Sequence, residues 1–114
     1  MTDTKSTATE TDTQSAGHVE SVAEFDDLIA TDEPVLVDFY ADWCGPCQSM
    51  SPVVDELAAE RAETVVKVDI ESLPQIPTRY GVRSIPTFLV FEDGEVEHQV
   101  TGVVEKHALA DLLE

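Results

Sequence analysis

Residues 35–47 have the sequence VLVDFYADWCGPC, and this stretch decides both the fold class and the chemistry that the sequence predicts. Its first seven residues are β-branched, aromatic or aliphatic except for Asp38, which is typical of a strand that is covered on both faces. Cys44 and Cys47 follow at the point where the strand pattern gives way to a helical one. The stretch therefore predicts a buried central strand that leads directly into a pair of cysteines.

Helical patterns lie on both sides of this strand. A capping box at Ser21 opens a first helix, whose apolar residues recur at the i, i+3 and i+4 positions. A second helix is predicted from Pro46 to about Glu63, and Pro52 inside it should kink it. A short helix or turn over residues 73–80 and a last helix containing three leucines complete the set.

β-type runs alternate with these helices. A short strand is expected near His18–Glu20, a further run covers Thr64–Asp69, and two final runs, residues 87–91 and 95–100, flank the hairpin signal Asp93-Gly94. Two βαβ crossings imply parallel strands with helices on both faces, and the hairpin adds antiparallel strands. The predicted fold class is α/β, a central mixed β-sheet flanked by helices on both faces, in the order βαβα followed by ββα.

The first 17 residues differ in composition from the rest of the chain. They contain no large apolar residue except Met1 and show no period, so residues 1–17 are predicted to be a disordered tail and residues 18–114 a single domain. The whole chain has 24 acidic and 6 basic residues and a net charge of -18, whereas the tail has three acids and one lysine. Residues 18–114 therefore carry -16 of that charge.

This acidity excludes some classes of function and indicates an environment. Nucleic acid and anionic membrane surfaces are polyanions, so neither is expected as a partner. Repulsion between carboxylates is screened at about 1 M salt, where the Debye length is roughly 3 Å, and this favours a halophilic origin over ordinary variation. The sequence has no apolar run of membrane-spanning length and no secretory signal, so we expect a cytoplasmic protein.

The two cysteines are spaced for disulfide exchange. Three residues span just under one helical turn, so their Cα atoms should lie roughly 5 Å apart, within the range that a disulfide requires. Cys44 would lie at the N-terminus of the second helix, where unpaired N–H groups and the helix dipole stabilise a thiolate. Cys44 is therefore expected to attack and Cys47 to resolve, and Pro46 suits an early helix position.

Half of a zinc site is the alternative reading of a Cys-x-x-Cys pair. Such a site needs two more ligands, and only His18, His98 and His107 are present to supply them. None of these histidines forms a Cys/His pair at ligand spacing, so we expect no metal. The sequence also lacks a glycine-rich phosphate loop, and no other bound cofactor is expected.

Asp38 is the other unusual residue of the opening stretch. A carboxylate inside an apolar central strand is costly without a partner or a function, and burial should raise its pKa. It could then exchange a proton with the Cys47 thiol, while Lys67 in the neighbouring β-type run could moderate its pKa. The alternatives are an edge strand with a solvated Asp38 and a lysine that reaches the surface.

The sequence also allows predictions for Trp43 and Pro86. Trp43 directly precedes the first cysteine. A tryptophan beside a reactive turn is more typical of an apolar rim where substrates dock than of a core residue, so we predict the docking role. Pro86 follows Ile85 at the start of a β-type run. Because most X-Pro bonds are trans, the residues alone predict a trans peptide bond there.

Residues 37–47, VDFYADWCGPC, resemble the active-site strand and turn of the thioredoxin family. The similarity covers about residues 18–114 and leaves the tail outside. It continues in order through Pro52, Lys67-Val68-Asp69, Tyr80-Gly81-Val82-Arg83-Ser84-Ile85-Pro86-Thr87, Asp93-Gly94 and Gly102. The resemblance implies the thioredoxin fold and a protein-disulfide oxidoreductase whose redox-active disulfide joins Cys44 and Cys47.

The resemblance also implies a role for each matching residue. Cys44 would be the exposed nucleophile and Cys47 the resolving thiol. Asp38 would be the buried proton-transfer carboxylate, linked to Lys67. A cis peptide bond is implied before Pro86, the reverse of the prediction from the residues alone. The docking surface for substrates would consist of Trp43, Gly45, Pro46, Ile85, Pro86, Gly102 and Val103.

The sequence departs from the common bacterial pattern of the family at four positions. Tyr40 is often Trp there, Asp42 is often Glu, and Gln48 is often Lys. Gln48 removes a positive charge beside the second cysteine, so the thiolates should be stabilised less. Glu105 stands where a serine-type helix cap is usual, which predicts a small loss of capping.

The leading hypothesis is a general cytosolic protein-disulfide reductase that acts as a monomer on disulfide-containing protein substrates. Thioredoxin reductase, by family analogy a flavoprotein, would return it to the dithiol. Two alternatives stay open: a disulfide oxidase or isomerase, and a binding subunit or holdase that uses the same surface without turnover. Gly45-Pro46 between the cysteines and the lack of a secretory signal argue against the first, and two intact cysteines argue against the second.

Overall fold

A computed structural model of the chain describes residues 16–114. Of the predicted tail, only Ala16 and Gly17 fall within this range: Ala16 is buried, and Gly17 begins the first strand. The prediction of disorder for residues 1–15 lies outside the described residues.

The described chain forms five strands and four helices. The strands are β1 (Gly17–His18), β2 (Val35–Tyr40), β3 (Thr64–Asp69), β4 (Thr87–Glu92) and β5 (Glu95–Thr101). The helices are α1 (Val22–Ile29), α2 (Gly45–Glu60), α3 (Gln75–Arg79) and α4 (Lys106–Leu112). The predicted βαβα half corresponds to β1, α1, β2 and α2, and the predicted ββα half to β4, β5 and α4. β3 and the short α3 connect the two halves. Within residues 16–114, no helix has the length and apolar composition to cross a membrane.

The strands form one mixed sheet in the order β1-β3-β2-β4-β5. β2 lies at its centre, where it pairs in parallel with β3 and antiparallel with β4. Every residue of β2 from Val35 to Phe39 is buried. The edge-strand alternative for Asp38 is therefore wrong, and the predicted α/β class with a central mixed sheet is confirmed.

Alternate residues of β2 point to opposite sides of the sheet, so both of its faces carry apolar side chains. Helices cover each face. On one face, α1 and α3 contribute Phe25 and Ile76 to a core with the odd-numbered residues of β2. On the other face, α2 and α4 contribute Met50 and Leu109. Asp38 is an even-numbered residue of β2, so it lies on the face that α2 covers.

Several predicted bounds differ from the structure by one to three residues. α2 ends at Glu60 rather than at Glu63, because Arg61 already has an extended backbone. The strand expected near His18–Glu20 begins one residue earlier, at Gly17, and pairs with β3.

The hairpin between β4 and β5 forms as predicted. Asp93 and Gly94 both have a positive φ, of 56° and 78°, as a two-residue hairpin turn requires. Gly81 has a φ of 68° after α3, which is the left-handed conformation that commonly ends a helix.

Ser21 caps α1 as the capping box predicts, since its Oγ accepts a hydrogen bond from the Glu24 N–H at 3.0 Å. We expect Ser21→Ala to lower the free energy of unfolding by about 1 kcal/mol, because that N–H would lose its partner. Urea unfolding measures the difference. Ser49→Ala, at an exposed position inside α2, is the control and should change the free energy little. An equal loss in both variants would contradict the capping role.

Candidate active site

Cys44 and Cys47 form a disulfide at the N-terminus of α2. Their Cα atoms are 5.2 Å apart, which confirms the separation expected from helical spacing. Cys44 is the N-cap residue, and its Sγ accepts a hydrogen bond from the Cys47 N–H at 3.2 Å. Because this sulfur faces the unpaired N–H groups and the positive end of the helix dipole, the position favours a thiolate on Cys44 once the disulfide is reduced.

The two cysteines are equally buried, each with 5% of its surface exposed. The resemblance implies an exposed Cys44, but in the disulfide form Cys44 is buried in a small cluster with Ala41 and Cys47, against which Ile85 packs. The surroundings of the two sulfurs differ instead. Cys44 Sγ lies 3.8 Å from the carbonyl oxygen of the partly buried Ile85, whereas Cys47 lines a groove beside α2.

This groove, of about 680 Å³, is lined by residues of α2, β1, β2 and β3. Asp38 and Cys47 line it together with Lys67, Ser51 and Asp55. Cys47, Ser51 and Asp55 follow one another at intervals of four residues, so they form one polar face of α2. The groove therefore brings the buried carboxylate and the second cysteine into the same space.

Asp38 is 2% exposed, and its Oδ1 has no hydrogen-bond partner among the described residues. Burial raises its pKa from 3.8 to about 7, an effect that the positive charge of Lys67 opposes and the negative charge of Asp55 reinforces. The carboxyl can therefore take up and release a proton near neutral pH, as a general acid or base must.

Lys67 is 6% exposed, so the alternative of a lysine that reaches the surface is wrong. It is the neighbour of Asp38 in the register of β2 and β3. Its Nζ forms an ion pair with Asp55 Oδ1 at 3.1 Å and donates a hydrogen bond to Ser51 Oγ at 2.8 Å. Among the ion pairs of residues 16–114, Lys67 pairs with Asp55 and not with Asp38, so its charge acts on Asp38 through space.

Asp55 and Ser51 belong to this groove although neither is among the predicted site residues. The signal for them is their spacing of eight and four residues from Cys47, which places all three on one face of α2. Asp55 Oδ1 also accepts a hydrogen bond from the Ala16 N–H at 3.1 Å. No sequence pattern indicates that contact, because it joins residues that are far apart in the chain.

The residues of the predicted docking surface differ in exposure. Trp43 is 65% exposed and Val103 is 63% exposed, so the alternative of a core position for Trp43 is wrong. The Trp43 indole N–H donates a hydrogen bond to Glu71 Oε2 at 2.7 Å, which holds the ring at the surface. The rest of the set ranges from exposed (Gly45, Pro46) through partly buried (Ile85, Gly102) to buried (Pro86).

The Ile85–Pro86 peptide bond is cis. The trans prediction from the residues alone is wrong, because it rests on the general preference of X-Pro bonds, which tertiary contacts override at a given site. The resemblance implies the cis form, and the structure confirms it. The Gly102 N–H donates a hydrogen bond to the Pro86 carbonyl at 2.8 Å, so these two residues of the predicted docking surface are neighbours.

The residues that depart from the common family pattern make local contacts. The Gln48 side-chain amide donates a hydrogen bond to the Asp42 carbonyl at 2.7 Å, which ties α2 to the turn before it. Tyr40 Oη is hydrogen-bonded to His18 Nδ1 at 3.0 Å. Glu105 is the N-cap residue of α4, but its side chain makes no capping hydrogen bond.

The three histidines considered as zinc ligands lie on separate elements. His18 belongs to β1, His98 to β5 and His107 to α4. Within residues 16–114, no three His, Cys, Asp or Glu side chains gather where they could hold a metal ion.

Comparison with known proteins gives matches over the whole described domain. A family model described as Thioredoxin matches residues 17–114. A thioredoxin from Mycoplasmoides gallisepticum is 41% identical over 97 residues, which cover 84% of this chain and 97% of that protein. Thioredoxin 1 from Nostoc sp. is 47% identical over 90 residues, which cover 77% of this chain and 84% of that protein.

Solved structures give the same result. A mutant thioredoxin from Halobacterium salinarum NRC-1 superposes with a TM-score of 0.82 at 41% identity, over 90% of each chain. A thioredoxin from Plasmodium falciparum superposes with a TM-score of 0.80 at 33% identity, over 86% of this chain and 96% of that chain.

Proposed function

Because this chain belongs to the thioredoxin family, and is thus a general protein-disulfide reductase that acts through a Cys-x-x-Cys dithiol, we propose a role for each residue of its site. One observation carries the proposal: Cys44 Sγ caps the N-terminus of α2, while Cys47 lines the groove that contains Asp38. Reduction of insulin by dithiothreitol tests the function, because the protein should raise its rate above the dithiothreitol background.

Cys44 is the nucleophile. In the reduced protein, its thiolate is stabilised by the Cys47 N–H and by the N-terminus of α2. The thiolate attacks one sulfur of a substrate disulfide, the bond between the two substrate sulfurs breaks, and the second substrate sulfur leaves as a thiolate. The product of this step is a mixed disulfide between Cys44 and the substrate.

Cys47 resolves the mixed disulfide. Its thiol transfers a proton to the Asp38 carboxylate in the groove that both residues line, and the resulting thiolate attacks Cys44 Sγ. The Cys44–Cys47 disulfide forms, and the remaining substrate sulfur leaves as a thiolate that takes up a proton. Two electrons thus pass from the dithiol to the substrate, and Lys67 moderates the proton affinity of Asp38 through its charge.

The substrate binds beside Ile85. The carbonyl oxygen of this residue lies 3.8 Å from Cys44 Sγ, so an extended substrate segment that pairs with the Ile85 backbone would bring its disulfide to the nucleophile. Exposed apolar surface for the contact is provided by Trp43 and Val103. The docking surface is completed by Gly45, Pro46, Pro86 and Gly102.

The reaction needs a reducing partner and a reducing compartment. The flavoprotein thioredoxin reductase would supply two electrons to the Cys44–Cys47 disulfide after each turnover. A cytoplasmic location fits this cycle, because the cytosol keeps thiols reduced. The acting unit would be a monomer of the single domain, whose described part begins at the buried Ala16, with the preceding residues as a tail.

A salty cytoplasm explains the charge. The chain has a net charge of -18, and its similarity to a Halobacterium salinarum thioredoxin fits this environment. Basic residues compensate few of the 24 carboxylates. Within residues 16–114, the ion pairs of Lys and Arg join Arg61 to Glu63 and Glu114, Lys67 to Asp55, Arg79 to Asp26, and Lys106 to Glu56 and Glu60.

Raising KCl from dilute buffer to 2 M should raise the midpoint of thermal unfolding by about 5–10 °C. Salt screens the repulsion among surface carboxylates, and for a domain of this size 1–2 kcal/mol of relieved repulsion gives roughly that change. Circular dichroism melts measure it. Sucrose, which does not screen charge, is the control and should have a smaller effect. Equal midpoints with and without KCl would count against a halophilic origin and leave the redox function intact.

A further inference from the structure

The ammonium of Lys67 is bound by Asp55, a residue outside the dithiol and its proton acceptor. We propose that Asp55 is a positioning residue of the exchange reaction. By binding Lys67, it keeps the ammonium from pairing with Asp38, and so leaves that carboxyl able to accept the proton of Cys47. The inference rests on the proposed proton-transfer role of Asp38.

The partners of Lys67 are not those that the strand register alone would give. Lys67 and Asp38 are neighbours on parallel strands and lie on the same face of the sheet. Opposite charges at adjacent buried positions normally pair, because an unpaired buried charge is costly. Yet Lys67 Nζ contacts Asp55 Oδ1 at 3.1 Å and Ser51 Oγ at 2.8 Å, while Asp38 Oδ1 has no partner within residues 16–114.

The observed pairing suits proton transfer better than a direct pair would. A cation within about 4–6 Å of a carboxylate stabilises its charged form, and typically lowers its pKa by one to three units. A carboxylate that is bound in this way would be a weak acceptor for a thiol proton. Asp55 raises the pKa of Asp38 in two ways. It pairs with Lys67, whose charge would otherwise lower that pKa more strongly, and its own negative charge raises the pKa directly.

Asp55 is itself fixed by contacts from separate parts of the chain. It lies on α2, one turn after Ser51, and its Oδ1 accepts from both Lys67 Nζ and the Ala16 N–H, each at 3.1 Å. Its side chain is 32% exposed, whereas that of Lys67 is 7% exposed. Asp55 therefore lies at the solvent-accessible edge of the groove, and its contact draws the buried ammonium of Lys67 toward that edge.

Other titratable groups share the groove. His18 of β1, Glu20 after it, Tyr40 of β2 and Asp42 before α2 line it, in addition to Cys47. Of the groups around Asp38, Lys67 and Asp55 are the ones whose charges change its pKa. The effect of Asp55 is therefore separable from that of the other groups that face the groove.

The experiment is a titration of the Asp38 side-chain carboxyl by ¹³C NMR in the oxidised protein. Asp55→Asn keeps an oxygen for the Ala16 N–H but removes the charge that binds Lys67. We expect the titration midpoint of Asp38 to fall by about one pH unit or more, because Lys67 turns to the remaining carboxylate. Glu56→Gln is the matched control: it removes the same charge from the same helix, at an exposed site paired with Lys106, and should leave the midpoint unchanged.

A second readout is the pH profile for resolution of the mixed disulfide, which should move to lower pH in Asp55→Asn and not in Glu56→Gln. Ser51→Ala removes the neutral partner of Lys67, and should lower the Asp38 midpoint by less than Asp55→Asn. If Asp55→Asn does not fold, Ser51→Ala decides: an Asp38 midpoint that does not fall in this variant would show that the contacts of Lys67 with α2 do not keep it from Asp38, and would overturn the inference.

An unchanged Asp38 midpoint in Asp55→Asn, or an equal fall in Glu56→Gln, would overturn the inference. The role of Asp38 is tested separately by the rate at which the Asp38→Asn variant resolves the mixed disulfide. If that rate equals the wild-type rate, the proposed proton transfer fails, and with it the functional meaning of the Asp55 contact. The NMR midpoints still report whether Asp55 controls the proton affinity of Asp38.

Discussion

Replacing Cys47 with serine will leave substrate proteins covalently attached to Cys44 and reduce turnover at least about 1000-fold. The first attack still occurs, but no neighbouring thiol remains to displace the substrate. Well-oriented groups in the same molecule can act at effective concentrations of roughly 10⁵ M or more, which a millimolar external thiol cannot replace. Non-reducing electrophoresis and mass spectrometry after incubation with oxidised insulin will detect and locate the adduct.

Cys44→Ser is the matched control, because it removes one sulfur from the same disulfide. We expect it to form no adduct. Cys47 lines the groove that contains Asp38, whereas the Cys44 sulfur lies beside the Ile85 carbonyl, where the substrate is proposed to bind. Adducts of equal yield in the two variants would show that Cys44 is not the nucleophile.

Asp38→Asn will stabilise the protein above neutral pH. The carboxyl has a pKa of about 7 in the folded protein and an ordinary value of 3.8, which the unfolded chain should approach. As pH rises from about 4 through about 7, the unfolded state loses a proton that the folded state keeps, so the wild type loses stability relative to the variant. The full difference, up to about 4 kcal/mol, is reached above pH 7 and vanishes below pH 4.

Urea unfolding of the oxidised proteins at pH 4 and pH 8.5 measures this effect. Asp42→Asn is the control, because Asp42 lines the same groove but is exposed, and it should show no such dependence on pH. A stability difference between Asp38→Asn and the wild type that is the same at both pH values would contradict a raised pKa.

The same substitution will slow resolution of the mixed disulfide at pH 7 by roughly 100-fold, the lower end of what a general base contributes. The wild-type rate should rise with pH through about 7, as Asp38 loses its proton, whereas the rate of the variant should follow the ionisation of the Cys47 thiol alone. Single-turnover kinetics separate this step from the first attack, which should be little changed.

Local patterns in the sequence were sufficient to predict most of the fold. The apolar run at Val35–Phe39 predicts a central strand because only a strand covered on both faces can bury such a run. Ser21 and Asp93-Gly94 predict a helix start and a hairpin, and both follow from hydrogen bonds and φ angles within a few residues. The cysteine spacing predicts the disulfide for the same reason, since one helical turn fixes the distance.

The parts that sequence reasoning missed depend on contacts between distant residues. The cis bond before Pro86 opposes the general preference of X-Pro bonds, and only the family resemblance indicates it. Asp38 is recognisable as an anomaly in its strand. Whether Lys67 pairs with Asp38 or with Asp55, however, depends on how α2 crosses the sheet. No spacing or composition encodes that crossing.

Insulin reduction by dithiothreitol in molar KCl is the measurement that tests the central claim most directly. We predict that the wild-type protein raises the rate well above the dithiothreitol background, and that Cys44→Ser and Cys47→Ser each return it to the background. A wild-type rate no higher than the background, or full activity in Cys44→Ser, would contradict reduction through the Cys44–Cys47 dithiol.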